Sequence, residues 1–168
     1  MNLIYFFIVS SFLYSSDLYT KKQLRPCTCT SYELKDQIRN AEIISHAKVI
    51  KIDTIRISTS SWCKDEVMRK AAYERKESMV KVTFKNKACL KGVLKSDTFS
   101  VISLNYCEYS FSNNLEYIVV ATHAEFCEFE MIKDSIKYNT ISFFCTNDCS
   151  GNSIYYPGAK ERYLENLK

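Results

Sequence analysis

Glycine and proline are scarce in this chain of 168 residues, which has three glycines and two prolines. Phosphate-binding loops of the GxGxxG and GxxxxGK[ST] types need closely spaced glycines. Here Gly92, Gly151 and Gly158 stand apart from one another. The sequence therefore excludes a glycine-rich loop that cradles phosphates.

An excess of one charge is also missing. The 23 Lys and Arg residues are interleaved with 19 Asp and Glu residues, and the formal net charge is +4. Proteins that bind nucleic acids usually carry a basic stripe or patch, so we expect no nucleic-acid partner.

Catalytic motifs are absent as well. The chain has no HExxH motif and no Ser/His/Asp set beyond chance. Glu125, Glu128 and Glu130 fall on a strand-like stretch and are typical of a solvated face rather than of an acid and base pair. We expect no enzymatic activity and no cofactor.

No apolar run is long enough to cross a bilayer, which takes about 20 residues. The run from Leu3 to Leu13 is typical of the apolar segment of a signal peptide. We predict a signal peptide at residues 1–16, with cleavage between residues 15 and 20, and a secreted, extracellular protein without a membrane partner. A buried N-terminal strand is the alternative.

The length and composition predict one folded domain. Hydrophobic residues make up 46% of the chain and aromatic residues 14%, which excludes a disordered or collagen-like chain. A domain of this length has a core of its own, and the chain is too short for two.

The order of apolar and polar residues predicts a mainly β fold. A helix is expected from a Thr30 and Glu33 capping box to about Asn40, and a second from Ala159 to Leu167. Between them, alternating β-branched and aromatic residues predict five strands, the first with a bulge near Val49 and Ile50. The predicted strands cover residues 41–57, 79–84, 98–106, 115–121 and 138–144.

Two further predictions concern this arrangement. The charge-dense stretch from Trp62 to Ser78 is predicted to be an exposed excursion with some helix. Five strands with flanking helices favour a small curled antiparallel barrel of the five-stranded OB-fold type, and a β-sandwich is the alternative.

Cysteine is abundant and even in number. Eight cysteines in a secreted chain indicate up to four disulfides, and eight allow 105 pairings, so spacing alone leaves the pairing open. The spacing of these cysteines does not match that of a zinc knuckle. His46 and His123 lie in strand-like runs and are interpreted as packed or edge residues rather than metal ligands.

An ordered set of short segments resembles a known family. The set begins with Cys27-Thr28-Cys29 and Ala47-Lys48-Val49, continues with VKVTFK from Val80, and ends with Cys107, EYIVVA from Glu116 and ISFFC from Ile141. Together these segments resemble the inhibitory N-terminal domain of the tissue inhibitors of metalloproteinases, which belongs to the wider class of netrin-like modules. The resemblance covers residues 27–168 and leaves residues 17–26 as an N-terminal extension.

The resemblance implies an OB-fold and two disulfides, Cys27–Cys107 and Cys29–Cys145. We expect the protein to be a monomer. These bonds would hold the short Cys27 to Cys29 segment in one shape before a partner arrives. The other four cysteines have no settled counterparts in the family. For them we predict the pairs Cys63–Cys89 and Cys127–Cys149.

The resemblance also implies a function and the residues that carry it. In the family, the free α-amine and carbonyl of the first cysteine bind the catalytic zinc of a matrix-type metalloprotease. Cys27 would be this zinc ligand, and Thr28 would enter the specificity pocket of the protease. The remaining residues of the predicted inhibitory ridge are Cys29, Thr30, Asn105, Tyr106 and Cys107.

The N-terminal extension leads to an alternative function. With Asp17 to Pro26 attached, the nitrogen of Cys27 is an amide and has no lone pair for zinc. The alternative function is a non-inhibitory netrin-like module that binds an extracellular protein or matrix component. For residues 64–76, the mixture of charges indicates a solvated helix face, with glycosaminoglycan binding as the alternative.

Overall fold

The computed structural model describes residues 33–104, 109–132, 135–146 and 150–167. The fold is mainly β. In chain order the elements are α1 (Leu34–Asn40), β1 (Ile43–Ile55), β2 (Ile57–Thr59), α2 (Ser60–Lys64), α3 (Glu66–Glu74), β3 (Met79–Lys91), β4 (Thr98–Ser103), β5 (Glu116–Ile132), β6 (Ser135–Thr146), β7 (Ser153–Ile154) and α4 (Ala159–Glu165).

Five of the strands form a ring within one sheet. The sheet order is β1-β3-β4-β6-β5-β2, and β1 also pairs with β5, which closes the ring. The pairings are antiparallel except that β4 and β6 run parallel. The described residues form one sheet and not the two packed sheets of the sandwich alternative.

The first strand bends because it has bulges. Its register with β3 shifts at three places, one of them between Val49 and Lys51, so Ile50 is the extra residue. An extra residue bends a strand and increases its twist, which lets β1 pair with β3 on one side and β5 on the other. The predicted bulge near Val49 and Ile50 is confirmed.

The stretch of β5 from Tyr117 to Ala121 is continuously apolar because both of its faces are buried. Tyr117 and Val119 belong to a core cluster shared with β1, β3 and β4. Ile118 and Val120 point to the opposite face and belong to a second cluster with Ile38 of α1 and with α4. Ile38 is fully buried, and burying one such side chain stabilises the fold by about 1.5 to 3 kcal/mol.

The predicted excursion contains helix, as expected. Asp65 caps α3 by accepting a hydrogen bond of 2.9 Å from the backbone N–H of Met68. The helix packs on a long β5–β6 hairpin through the Tyr73 and Phe129 rings, and the Arg69 guanidinium lies over the Tyr138 ring. The hairpin is longer than predicted, since β5 continues to Ile132 and β6 begins at Ser135.

The predicted capping box of the first helix is wrong. Glu33 is itself the N-cap of α1 and makes no capping hydrogen bond through its side chain. The helix therefore begins after the predicted box, and its end at Asn40 agrees with the prediction. In the part of the chain that the structure describes, no helix is both long and apolar enough to cross a membrane.

Candidate functional site

All residues of the predicted inhibitory ridge lie outside the described residues. These are Cys27, Thr28, Cys29, Thr30, Asn105, Tyr106 and Cys107. The predicted signal peptide at residues 1–16, the extension at residues 17–26 and Cys149 also lie outside them. The described residues that flank these segments are Glu33, Leu34, Leu104, Tyr109, Thr146, Ser150 and Gly151, and several of them meet in one place.

Ser103 bonds to Tyr109, the first described residue after residues 105–108. Its hydroxyl accepts a hydrogen bond of 3.1 Å from the backbone N–H of Tyr109 and donates one of 3.2 Å to the carbonyl of the same residue. The next residue, Leu104, donates its backbone N–H to the carbonyl of Thr146 at 3.0 Å. Ser103 is fully buried, so its hydroxyl needs these partners.

Thr146 ties the end of β6 to β5 and to the segment that follows. Its buried hydroxyl donates a hydrogen bond of 2.9 Å to the carbonyl of Val120 and accepts one of 2.6 Å from the side-chain amide of Asn152. The amide oxygen of Asn152 accepts the backbone N–H of Val120 at 2.8 Å. One polar network thus joins Val120, Thr146 and Asn152.

Gly151 brings the start of α1 to the same place. A Cβ atom on Gly151 would lie 3.1 Å from Cδ1 of Leu34, so the helix passes close to this backbone. The hydroxyl of Tyr163 in α4 donates to the carbonyl of Gly151. We call the set Leu34, Ser103, Thr146, Gly151 and Asn152 the Thr146 junction.

Cys145 lies beside this junction. The parallel register places it opposite Ile102 of β4, and the antiparallel register places it opposite Thr122 of β5. Its sulfur is buried, lies 3.9 Å from the Thr122 hydroxyl and forms no disulfide with another described residue. Burial raises the pKa of the Cys145 thiol because the thiolate is poorly solvated there. Its predicted partner Cys29 lies outside the described residues, and the pair Cys29–Cys145 stays a prediction.

The predicted pairing of Cys63 and Cys127 is wrong. They form a disulfide with each other, with a Cα–Cα distance of 6.3 Å, instead of pairing with Cys89 and Cys149. The register of β2 and β5 places Ser58 opposite Cys127, and α2 then returns the chain so that Cys63 reaches the same spot. Cys89 is exposed and forms no disulfide within the described part of the chain.

The two histidines each bind a carboxylate. His46 Nε2 lies 2.7 Å from Glu116 Oε2, and its ring stacks on Tyr155 with centroids 3.8 Å apart. His123 Nδ1 lies 2.6 Å from Glu42 Oε2. Hydrogen bonds to His123 lower the pKa of the Glu42 carboxyl.

Of these two carboxylates, Glu116 bonds to the larger number of residues. It accepts hydrogen bonds from Lys87 and His46, and these partners, Lys87 first, lower the pKa of its carboxyl. No group of three or more His, Cys, Asp or Glu residues that could hold a metal ion is found within the described ranges.

Sequence reasoning missed Ser103, Thr146 and Asn152. Buried hydroxyls and amides at strand ends have no spacing signature, because their partners are set by the sheet register. A weak signal was present, since Thr146 directly follows Cys145 and Asn152 follows Gly151 in a polar stretch.

No protein-family model matches the chain, and no curated protein matches it in sequence. The class that the structure defines is a mainly β protein with a five-strand ring and a Cys63–Cys127 disulfide.

Proposed function

We propose that this chain is a secreted protein inhibitor of zinc metalloproteases that acts through its Cys27-Thr28-Cys29 segment. The observation that carries the proposal is the Thr146 junction. It gathers the described residues on either side of the cysteine-bearing segments at one end of the sheet, where the inhibitory ridge is expected.

Chain connectivity supports this placement. Cys107 falls between Leu104 and Tyr109, and both of these residues bond at Ser103 or Thr146. Cys145 directly precedes Thr146, and Cys29 lies shortly before Leu34, whose side chain approaches Gly151. The predicted Cys27–Cys107 and Cys29–Cys145 bonds would therefore join segments that leave neighbouring parts of the fold.

The sheet also supports the fold that the family implies. An OB-like barrel needs a first strand that bends to pair on both sides, and β1 does so through its bulges. We propose that the five-strand ring is of the OB-fold type.

The proposed chemistry takes place at the zinc of the target protease. A catalytic zinc has three protein ligands and an open position normally filled by water. The α-amine and carbonyl of Cys27 would take that position, and Thr28 would enter the adjacent pocket. An α-amine has a pKa of about 7.7 to 8.0, so a useful fraction is unprotonated near neutral pH.

The extension at residues 17–26 decides between this function and the alternative. While Asp17 to Pro26 remain attached, the Cys27 nitrogen is an amide that cannot bind zinc. An extended protein would then act as a netrin-like module that binds an extracellular protein or matrix component without contacting zinc.

The decisive experiment compares two N-termini. One protein begins at Asp17 and the other at Cys27, and both are checked for the same disulfides and thermal stability before titration against a panel of zinc proteases. We expect inhibition only from the protein that begins at Cys27. Equal inhibition by both proteins would exclude zinc binding by the amine, and inhibition by neither would favour the binding module.

The second variant is Thr28→Gly in the protein that begins at Cys27. We expect the inhibition constant to rise by orders of magnitude, because the pocket loses its occupant, while the melting temperature stays nearly unchanged. Ser31→Gly, just outside the predicted ridge, is the matched control. An unchanged inhibition constant in Thr28→Gly would place the inhibitory contact elsewhere.

A further inference from the structure

A cleft opens where β4 and β6 diverge. These parallel strands pair only from Val101 to Ser103 on β4 and from Phe144 to Thr146 on β6. Where the pairing begins, a cleft of about 470 Å³ lies between the two strands. The residues from Thr98 to Ser100 form one wall, and those from Ser142 to Phe144 form the other. Sites for small molecules in proteins are typically about 300 to 1,000 Å³.

The inner part of the cleft is apolar and built on the core. Phe99 is 9% exposed and stacks on Phe84, with ring centroids 5.3 Å apart. Phe144 and Leu94 are partly buried and pack against the same core cluster. Phe143 follows Ser142 on the β6 wall and packs against a separate cluster. These side chains are held by the sheet, so an apolar ligand would meet a largely preformed surface.

The outer part of the cleft is polar and carries positive charge. Thr98 and Ser142, one from each wall, have side-chain hydroxyls without a hydrogen-bond partner among the residues described. Lys95 lines the cleft, is exposed and has no ion-pair partner in the described ranges. Lys81 lies over the Phe143 ring, 5.2 Å from its centroid.

Negative charge is absent from this lining. No Asp or Glu of the described residues lines the cleft. Two carboxylates lie at its border: Glu42 bonds to the lining residue His123, and the exposed Asp97 stands between the lining residues Ser96 and Thr98. Within the lining itself, an anionic head group would meet Lys95 and two hydroxyls and no carboxylate.

We propose that this cleft binds an amphipathic monocarboxylate, a medium-chain fatty acid in chemical class. Its alkyl chain lies between Phe99, Phe143 and Phe144, and its carboxylate lies at Lys95, Thr98 and Ser142. The proposal is independent of protease inhibition, since the cleft uses none of the inhibitory ridge residues.

The experiment titrates the full secreted protein with dodecanoate below its micelle concentration and follows binding by calorimetry and NMR. Dodecyltrimethylammonium, with the same chain and the opposite charge, is the matched ligand. We expect saturable binding of one dodecanoate and at least tenfold weaker binding of the cation. Equal binding of the two ligands, or no saturable binding of dodecanoate, overturns the proposal.

Two pairs of variants locate the site. Ser142→Trp fills the cleft and is expected to abolish binding, while Thr140→Trp, exposed on the same face of β6 outside the cleft, leaves it unchanged. Lys95→Glu is expected to weaken dodecanoate binding at least tenfold, and Lys137→Glu on the hairpin is its control. If Ser142→Trp fails to fold, the Lys95 pair decides, and unchanged affinity in Lys95→Glu overturns the assigned carboxylate position.

Discussion

The side-chain amide of Asn152 donates a hydrogen bond of 2.6 Å to the hydroxyl of Thr146 at the end of β6. That hydroxyl is buried and in turn donates to the carbonyl of Val120. One threonine thus joins the segment before α4 to the central strand of the sheet. Leu104, the last described residue before Cys107, donates its backbone N–H to the carbonyl of the same threonine.

Thr146→Val is the first prediction. The isosteric change removes the hydroxyl and leaves the Asn152 amide and the Val120 carbonyl short of a partner in a buried site. We expect the free energy of unfolding to fall by about 1 to 3 kcal/mol. Urea denaturation measures it, with the exposed Thr140→Val on the same strand as control. Equal effects of the two changes would show that the junction adds no stability.

The Cys63–Cys127 disulfide gives the second prediction. It joins residues 64 apart, and loop-closure entropy for such a loop corresponds to about 4 kcal/mol, with strain left aside. We expect the double variant Cys63→Ala/Cys127→Ala to lose about 2 to 5 kcal/mol in denaturant unfolding. Cys89→Ser is the control, because Cys89 is exposed and forms no disulfide with a described residue. A non-reducing peptide map that links Cys63 to Cys89 would contradict the assignment.

Thiol labelling of the native protein gives the third prediction. The Cys89 thiol is exposed, whereas the Cys145 thiol is buried with a raised pKa. Because thiolates are the reacting species, we expect iodoacetamide to label Cys89 quickly in the native protein and to leave the buried Cys145 unlabelled. In denaturant, we expect Cys145 to be labelled only after a reductant is added, because the proposed Cys29–Cys145 bond leaves it no thiol. Peptide mass spectrometry distinguishes the two sites. Labelling of Cys145 in denaturant without reductant would contradict the proposed Cys29–Cys145 bond.

Local signals in the sequence predicted a good part of the fold. The end of α1 at Asn40 and the bulge at Ile50 depend on residues close together in the chain, so periodicity and phase reveal them. The helix in the excursion followed from the spacing of its apolar residues in the same way.

Features that depend on distant contacts could not be predicted. The Cys63–Cys127 bond needs the β2–β5 register, and Thr146 becomes a junction only when β6 lies beside β4 and β5. The extension of β5 beyond Ala121 depends on pairing with β6 and packing under α3, which outweigh the polar residues in that stretch.

Gly92 and Gly158 provide a matched pair for the fourth prediction. Both have positive φ, 82° and 90°, where a residue with a Cβ is strained. A Cβ on Gly92 would also overlap the backbone carbonyl of Glu42, while one on Gly158 would meet nothing within 4 Å. We expect Gly158→Ala to cost about 1 to 2 kcal/mol and Gly92→Ala about 1 to 3 kcal/mol more. Thermal or urea unfolding measures both, and equal losses would contradict the close approach at Gly92.

The fifth prediction concerns the pH dependence of stability at Glu116. Hydrogen bonds from Lys87 and then His46 lower the pKa of its carboxyl in the folded protein. In the unfolded chain a glutamate has a pKa of about 4.3, so its ionised form favours folding above that pH. This contribution is lost as the pH falls through the lower, folded pKa, where the carboxyl is protonated in both states.

Glu116→Gln should therefore destabilise the protein near pH 7 and much less near pH 3. The measurement is the free energy of unfolding in urea across this range for the variant and the natural protein. Glu128→Gln, exposed on the same strand, is the control, and its difference from the natural protein should stay small throughout. A Glu116→Gln difference that does not shrink on acidification would mean that the residue stabilises the sheet through packing rather than through its charge.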